Sequence, residues 1–199
     1  MKNLLTSARA SLITGLVASV VLLAVLLYFS GIDRLGLASM LARIVHVVAA
    51  MLWVGMIWFV NFIQLAALAE ADDAGRQTIL KLIALRVART FRHASHVTLL
   101  SGVVLLVVTG YLFDRWVFAS TVYIPPLKAA MLYGGIVAAI IMWALVHFVI
   151  WPNLMVVIGE TPGDAAAKAK ARDKVRACAR LNLILALPVT CIMIAAAHL

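Results

Sequence analysis

Five histidines, His46, His93, His96, His147 and His198, are the side chains of this 199-residue chain best suited to hold a redox metal. Neutral imidazole is a common axial ligand for haem iron, and cofactor sites in helical bundles use side chains from facing helices. All five histidines lie within or at the ends of long apolar segments. At a rise of 1.5 Å per residue, His96 and His147 each lie about 12 Å from their helix centres, toward the same side. His46 lies about 9 Å and His198 about 12 Å from centre on the opposite side, by the same rise. Two depth-matched pairs of metal ligands are therefore expected, His46 with His198 and His96 with His147. His93 lies nearer the water. The competing interpretation is that each imidazole only hydrogen-bonds a neighbour or snorkels to an interface.

A porphyrin also needs an apolar slot and cations for its propionates. Helix 2 offers Ala50 and Trp53 on the His46 face, with Arg43 one turn outward. Helix 4 offers Trp143, Ile140 and Ile136 beside His147, with Ala144 next to them. Helix 3 offers Gly110 on the His96 face, with Arg89 and Arg92 just inward. Lys128, at the start of helix 4, is a snorkelling anchor, a sixth iron ligand or a propionate partner. The expected cofactor-binding residues are thus Arg43, Trp53, Lys128, Trp143 and Arg92. The expected cofactor is one haem b at His46 and His198, with a second if His96 and His147 also ligate. No catalytic residue is singled out.

Other chemistries fit less well. The two cysteines, Cys178 and Cys191, stand in no CxxC or CxxCH, which excludes c-type haem attachment and a cysteine-based zinc or iron–sulfur site. The methionines form no MxxM cluster, no GxGxxG follows a strand, and no carboxylate lies deep in a span as an ion pump would need. Basic and aromatic residues are not interleaved as in nucleic-acid binders, so no nucleic-acid partner is expected.

The elements that must position these residues follow from composition. The chain is 65% hydrophobic and 13% charged, with mean hydropathy +1.09, against ordinary usage of about 45–50% apolar and 25% charged. This is the composition of an integral membrane protein with no separate soluble domain. Five apolar segments reach the roughly 20 residues needed to span: about 11–30, 38–66, 95–114, 127–150 and 181–198. The expected fold is all-α and polytopic, with helices 2 to 5 bundled around the cofactor and a peripheral N-terminal helix. Residues 1–36 are assigned to an anchor helix and outer loop, and 37–199 to the four-helix membrane domain. The first segment follows Lys2 and Arg9 as a signal peptide would. Its apolar run is too long and lacks an AxA-like site, so a retained anchor is expected.

In "RIVHVVAAMLWVGMIWFVNFIQ", residues 43–64, a step of about 100° per residue aligns Arg43, His46, Trp53, Asn61 and Gln64 into one stripe. Polar groups in lipid face a bundle interior, so this stripe should point inward. The loops set orientation: 13 of the 17 Lys and Arg lie on the side holding Lys2, residues 67–94 and residues 159–180. Positive-inside bias then gives a cytoplasmic N-terminus and a periplasmic C-terminus in a bacterial inner membrane. "GRQTILKLIALRVARTFRH" should be helical, either lying on the membrane or extending the third span. "TPGDAAAKAKARDKVRACAR" should be a turn and a basic helix leading into the fifth.

The pattern R-x-x-H-x-x-x-A-x-x-W-x-G, with NF-x-Q behind it, resembles the first helix of the membrane domain of bacterial membrane-bound urate hydroxylases (PuuD type). "FVIWPN", the Ala/Lys-rich loop, AR-x-N-x-x-L-x-x-P and the closing "AAAH" are similar to short stand-alone members, over about residues 37–198. A more distant likeness is to four-helix protoporphyrinogen oxidases (HemJ type) and copper-resistance D proteins, where an opening-helix histidine and a later lysine are associated with haem b. The matching positions here are His46 and, within "PPLKAAMLYGG", Lys128. Full-length urate hydroxylases add a cytochrome c domain. This chain has no CxxCH, so the resemblance implies a separate electron acceptor.

The expected function is haem b binding and electron transfer, as the membrane part of an oxidoreductase. Two rivals stand beside it: a membrane enzyme oxidising urate or a porphyrinogen, and a cofactor-free accessory subunit of a larger membrane complex. Expected partners are lipids, an electron donor or acceptor protein or quinone, and further copies of the chain or other subunits.

Overall fold

The structure is a computed structural model that describes residues 7–111 and 124–198. Among the described residues every regular element is helical. Five helices are long and apolar enough to cross a membrane: α1 (Ala8–Ser30), α2 (Arg34–Glu70), α3 (Asp73–Val108), α4 (Pro126–Ile158) and α5 (Ala165–His198). The chain is an all-α, multi-pass membrane protein.

The helix ends explain where several of the few carboxylates go. Asp33 Oδ1 accepts from the Gly36 amide at 2.8 Å, Asp72 from Gly75 at 2.8 Å and Asp164 from Ala167 at 2.7 Å. Each satisfies one of the amides that an N-terminus leaves unpaired. At the other ends, Gly31 (φ 61°) and Gly159 (φ 89°) close α1 and α4 in the left-handed region, which costs glycine nothing.

The chain forms two compact units, Met1–Met40 and Leu41–Leu199, so the division falls inside continuous α2. In the first unit, α1 is apolar on all sides and none of its residues is buried. A helix apolar on all sides is the pattern of a membrane span. The second unit is a bundle whose core draws on all four remaining helices. Trp53 and Ile57 come from α2, Phe91 and Ala94 from α3, Met142 and Val146 from α4, and Ala186 from α5. Small residues set close approach in membranes, where packing replaces the hydrophobic drive. Accordingly α5 buries Ala171, Ala179, Ala186 and Ala196.

The "GRQTILKLIALRVARTFRH" segment does not lie apart; it is the first half of α3. α3 ends at Val108, short of the expected residue 114, and Gly110 sits past its end at φ 75°. Gly110 therefore offers no flat face beside His96, as expected from an unbroken helix. Residues 114–123 of "DRWVFASTVYIPP", between α3 and α4, lie outside the described residues.

Three of the four bundle helices carry a π-helical turn: Phe59–Gln64 in α2, Ile79–Ala84 in α3 and Leu145–Ile150 in α4. Such turns leave the i→i−4 ladder and concentrate at functional sites. All three contribute residues to one cavity.

Candidate functional site

His46 is half-buried, and its Nδ1 lies 2.9 Å from the Thr98 carbonyl oxygen on α3. A carbonyl only accepts, so Nδ1 carries the proton and Nε2 keeps its lone pair. The ring rests against Gly102: a Cβ there would come within 3.1 Å of the imidazole Cε1. Ser101 Oγ lies 3.4 Å from Nδ1. Thus α3 supplies a carbonyl, a hydroxyl and a missing side chain to seat one imidazole from α2. Ser101 and Gly102 were not legible beforehand, because contact between helices does not show in the spacing of either one.

His96 and His147 do meet. Their ring centroids are 4.2 Å apart, and His147 Nε2 lies 3.2 Å from His96 Nδ1. Each Nδ1 also bonds a carbonyl one turn back in its own helix, His96 to Arg92 and His147 to Trp143, both at 2.8 Å. Both nitrogens facing carbonyls must be donors, so His147 Nε2 accepts a shared N–H from His96. Trp143 packs on both rings, at 4.6 Å from His147 and 5.9 Å from His96. The two imidazoles touch and bond each other rather than facing across a gap of porphyrin width.

The remaining predicted residues are more dispersed. His198 is exposed, with Nδ1 bonded to the Ile194 carbonyl of its own helix at 2.8 Å. No hydrogen bond or ring contact joins it to His46 among the described residues. Lys128 Nζ sits 5.4 Å from the Tyr111 ring centroid. Arg43 is exposed. Trp53 is buried, edge-on to Phe91 at 6.4 Å. The inward stripe therefore holds for Trp53, Asn61 and Gln64, half-holds for His46, and fails for Arg43 near the helix start.

At the opposite end of the bundle from His46, a cavity of about 60 Å³ is lined by apolar residues of all four helices and by Asn61, Gln64, Arg92 and Asn182. Asn61, Gln64 and Asn182 are 3%, 8% and 1% exposed, so none can turn to the surroundings for a partner. Yet Asn61 Oδ1, Gln64 Oε1, Arg92 Nε and both side-chain polar atoms of Asn182 have no hydrogen-bond partner within the protein. Leaving one buried polar group unsatisfied costs about 1–3 kcal/mol. Five together would cost roughly what a whole domain has in stability, about 5–15 kcal/mol. Arg92 lies 4.0 Å over the Trp151 ring, which steadies its guanidinium by cation–π attraction. Asn182 was missed as a site residue, although a lone asparagine inside "NLILALPVTCIM" is a signal of buried polarity. Asn61 and Gln64 of NF-x-Q, Trp151 of "FVIWPN" and Asn182 of AR-x-N converge on this one cavity.

Comparison of the chain with protein-family models, with characterised proteins and with solved structures finds no match.

Proposed function

We propose that this multi-pass membrane protein binds haem b through His46 and carries electrons in a bacterial inner membrane, with its N-terminus cytoplasmic and its C-terminus periplasmic. The observation that carries the reading is the 2.9 Å bond from His46 Nδ1 to the Thr98 carbonyl on a different helix. Metal-ligating histidines characteristically donate their second ring N–H to a carbonyl or carboxylate, which fixes the tautomer and raises ligand basicity. The other candidate histidines bond carbonyls of their own helix one turn back, which requires no partner helix.

The donor chemistry fits at His46. His198 is the proposed second ligand, because it matches His46 in depth and its Nε2 lone pair is open. The His96/His147 pair does not fit a second haem bridged between its rings: they are in contact, and the His147 Nε2 lone pair is engaged by His96. A bound haem b supplies a one-electron iron couple whose potential depends on axial ligands, nearby hydrogen bonds and burial. Thr98 and Ser101 orient the imidazole, Gly102 gives it room, and the apolar residues of α2 and α3 exclude water. Lys128 and Arg43 are cations on the same half of the bundle suited to pair with carboxylates. The electron partner is a separate protein or a quinone.

The test is a reduced-minus-oxidised spectrum of the purified chain with haem-to-protein stoichiometry. About one haem per chain is expected, and His46→Ala should remove it. A wild-type chain made with abundant haem that shows no Soret band would overturn the reading and leave a cofactor-free accessory subunit. Reduction of the haem by urate or a porphyrinogen would identify an enzyme rather than a carrier.

A further inference from the structure

The cavity formed by the three π-helical turns makes demands that no residue within it meets. Its polar groups are not interchangeable. Both hydrogens of Asn61 Nδ2 are engaged, by the Ile57 carbonyl at 2.9 Å and the Ala179 carbonyl at 3.2 Å. A flipped amide would set its oxygen against those two carbonyls, so Oδ1 is a fixed acceptor aimed elsewhere. Gln64 Oε1 is a second unpartnered acceptor. Arg92 Nε–H is a donor bearing positive charge, and Asn182 brings one donor and one acceptor. A molecule that satisfies this set must offer at least one hydrogen to Asn61 and at least one lone pair to Arg92.

Charge narrows the class further. The ion pair among the described residues joins Arg76 to Asp73, and Arg92 takes part in none. Arg180, beside the cavity, directs its guanidinium at the Asn61 carbonyl, 3.5 Å away. No carboxylate is among the residues lining the cavity. An apolar-walled site with an unpaired guanidinium favours an anion strongly, since low polarity leaves the attraction poorly screened. Volume sets the size. A water needs about 10–15 Å³ of such space, so the 60 Å³ here accepts a molecule of roughly four to six non-hydrogen atoms.

From this we infer that the cavity is a binding site for a compact monovalent oxyanion that keeps an O–H group. Short 2-hydroxycarboxylates and hydrogencarbonate share this chemistry. The anionic oxygen takes Arg92 Nε–H and the Asn182 amide hydrogens. The single O–H donates to Asn61 Oδ1, the acceptor whose own amide hydrogens are both committed. The site stands apart from any haem at His46 and does not depend on one.

Titration calorimetry on the full chain in lipid nanodiscs tests this with three probes. Glycolate and propionate have the same number of non-hydrogen atoms and the same charge, and only glycolate carries the hydroxyl. Glycolate, hydrogencarbonate or both should bind, with propionate at least about tenfold weaker, because one good hydrogen bond to a buried group is worth that factor. The stronger of the two hydroxylated anions identifies the source. Asn61→Leu should bring glycolate down to the propionate level, and Arg92→Gln should abolish binding of all three. No measurable heat with either hydroxylated anion would mean a merely hydrated cavity and overturn the inference. So would equal affinity for glycolate and propionate in the wild-type chain, a comparison that needs no variant to fold.

Discussion

The two ends of the four-helix unit solve different problems with different backbone. Around His46, α2 and α3 are regular, and one imidazole is fixed by a carbonyl, a hydroxyl and a glycine on the facing helix. Around Arg92, three helices leave regular geometry within the same layer, and amides from α2 and α5 converge on a cavity they cannot satisfy among themselves. Regular helices suffice to hold a single ligand atom in place, since one hydrogen bond across the interface sets the ring. At the cavity, Asn61 and Gln64 come from the wide turn of α2, while Arg92 and Asn182 reach the same volume from regular stretches of α3 and α5.

The two ends should respond differently to substitution, most of all in haem content. His46→Ala should take haem content from about one per chain to near zero, while Asn182→Leu leaves it unchanged, both read by pyridine haemochrome assay. Equal loss in the two variants would merge the ends into one site. Second, Ile57→Ala removes a side chain that is 2% exposed at the core between the two ends, and should destabilise by about 2–5 kcal/mol, measured by denaturant unfolding in detergent. Third, Asn182→Leu removes two unpartnered polar atoms from a 1%-exposed position. With no anion added it should stabilise the chain by about 1–3 kcal/mol, and that gain should shrink as glycolate is added, because only the wild type is then stabilised by binding. Fourth, His198→Ala should leave haem content near one per chain and change only the spectrum, from six- to five-coordinate, since His46 alone is held from another helix. A second haem that survives in His46→Ala and disappears in His96→Ala would restore the bridged pair.

The extent to which these ends were readable from the chain differs, for physical reasons. Five apolar runs and the inward stripe were visible because hydropathy and the 3.6-residue period act within one helix. Trp53, Asn61 and Gln64 accordingly lie inside. His96 and His147 share a depth, and their rings touch because both also face the seam between α3 and α4. Depth says nothing of azimuth, so matched depth does not by itself set which way His198, exposed at the end of α5, faces. Gly102 and Thr98 were invisible as site residues because their role exists only across an interface. The cavity was invisible because it depends on three local departures from the period used to read the helices. Asn182 was the exception. Its polarity inside an apolar run marks it as a costly group in lipid, which must be buried against a partner.

The π-helical turns also determine where this membrane unit can absorb a change in chain length. Each wide turn of α2, α3 and α4 takes up a residue that a regular α-helix would pass on to the next turn. Removing one residue between Trp58 and Asn61 would let α2 close into a regular helix while the segment toward Glu70 keeps nearly the same face toward the bundle. The same deletion in the regular stretch before Trp53 would swing everything beyond it by about 100°. Hydropathy, length class and charge bias would hardly alter in either case, so a topology assay would report the same five spans. A deletion at the wide turn changes the cavity locally, while one outside it re-indexes the inner face of the helix.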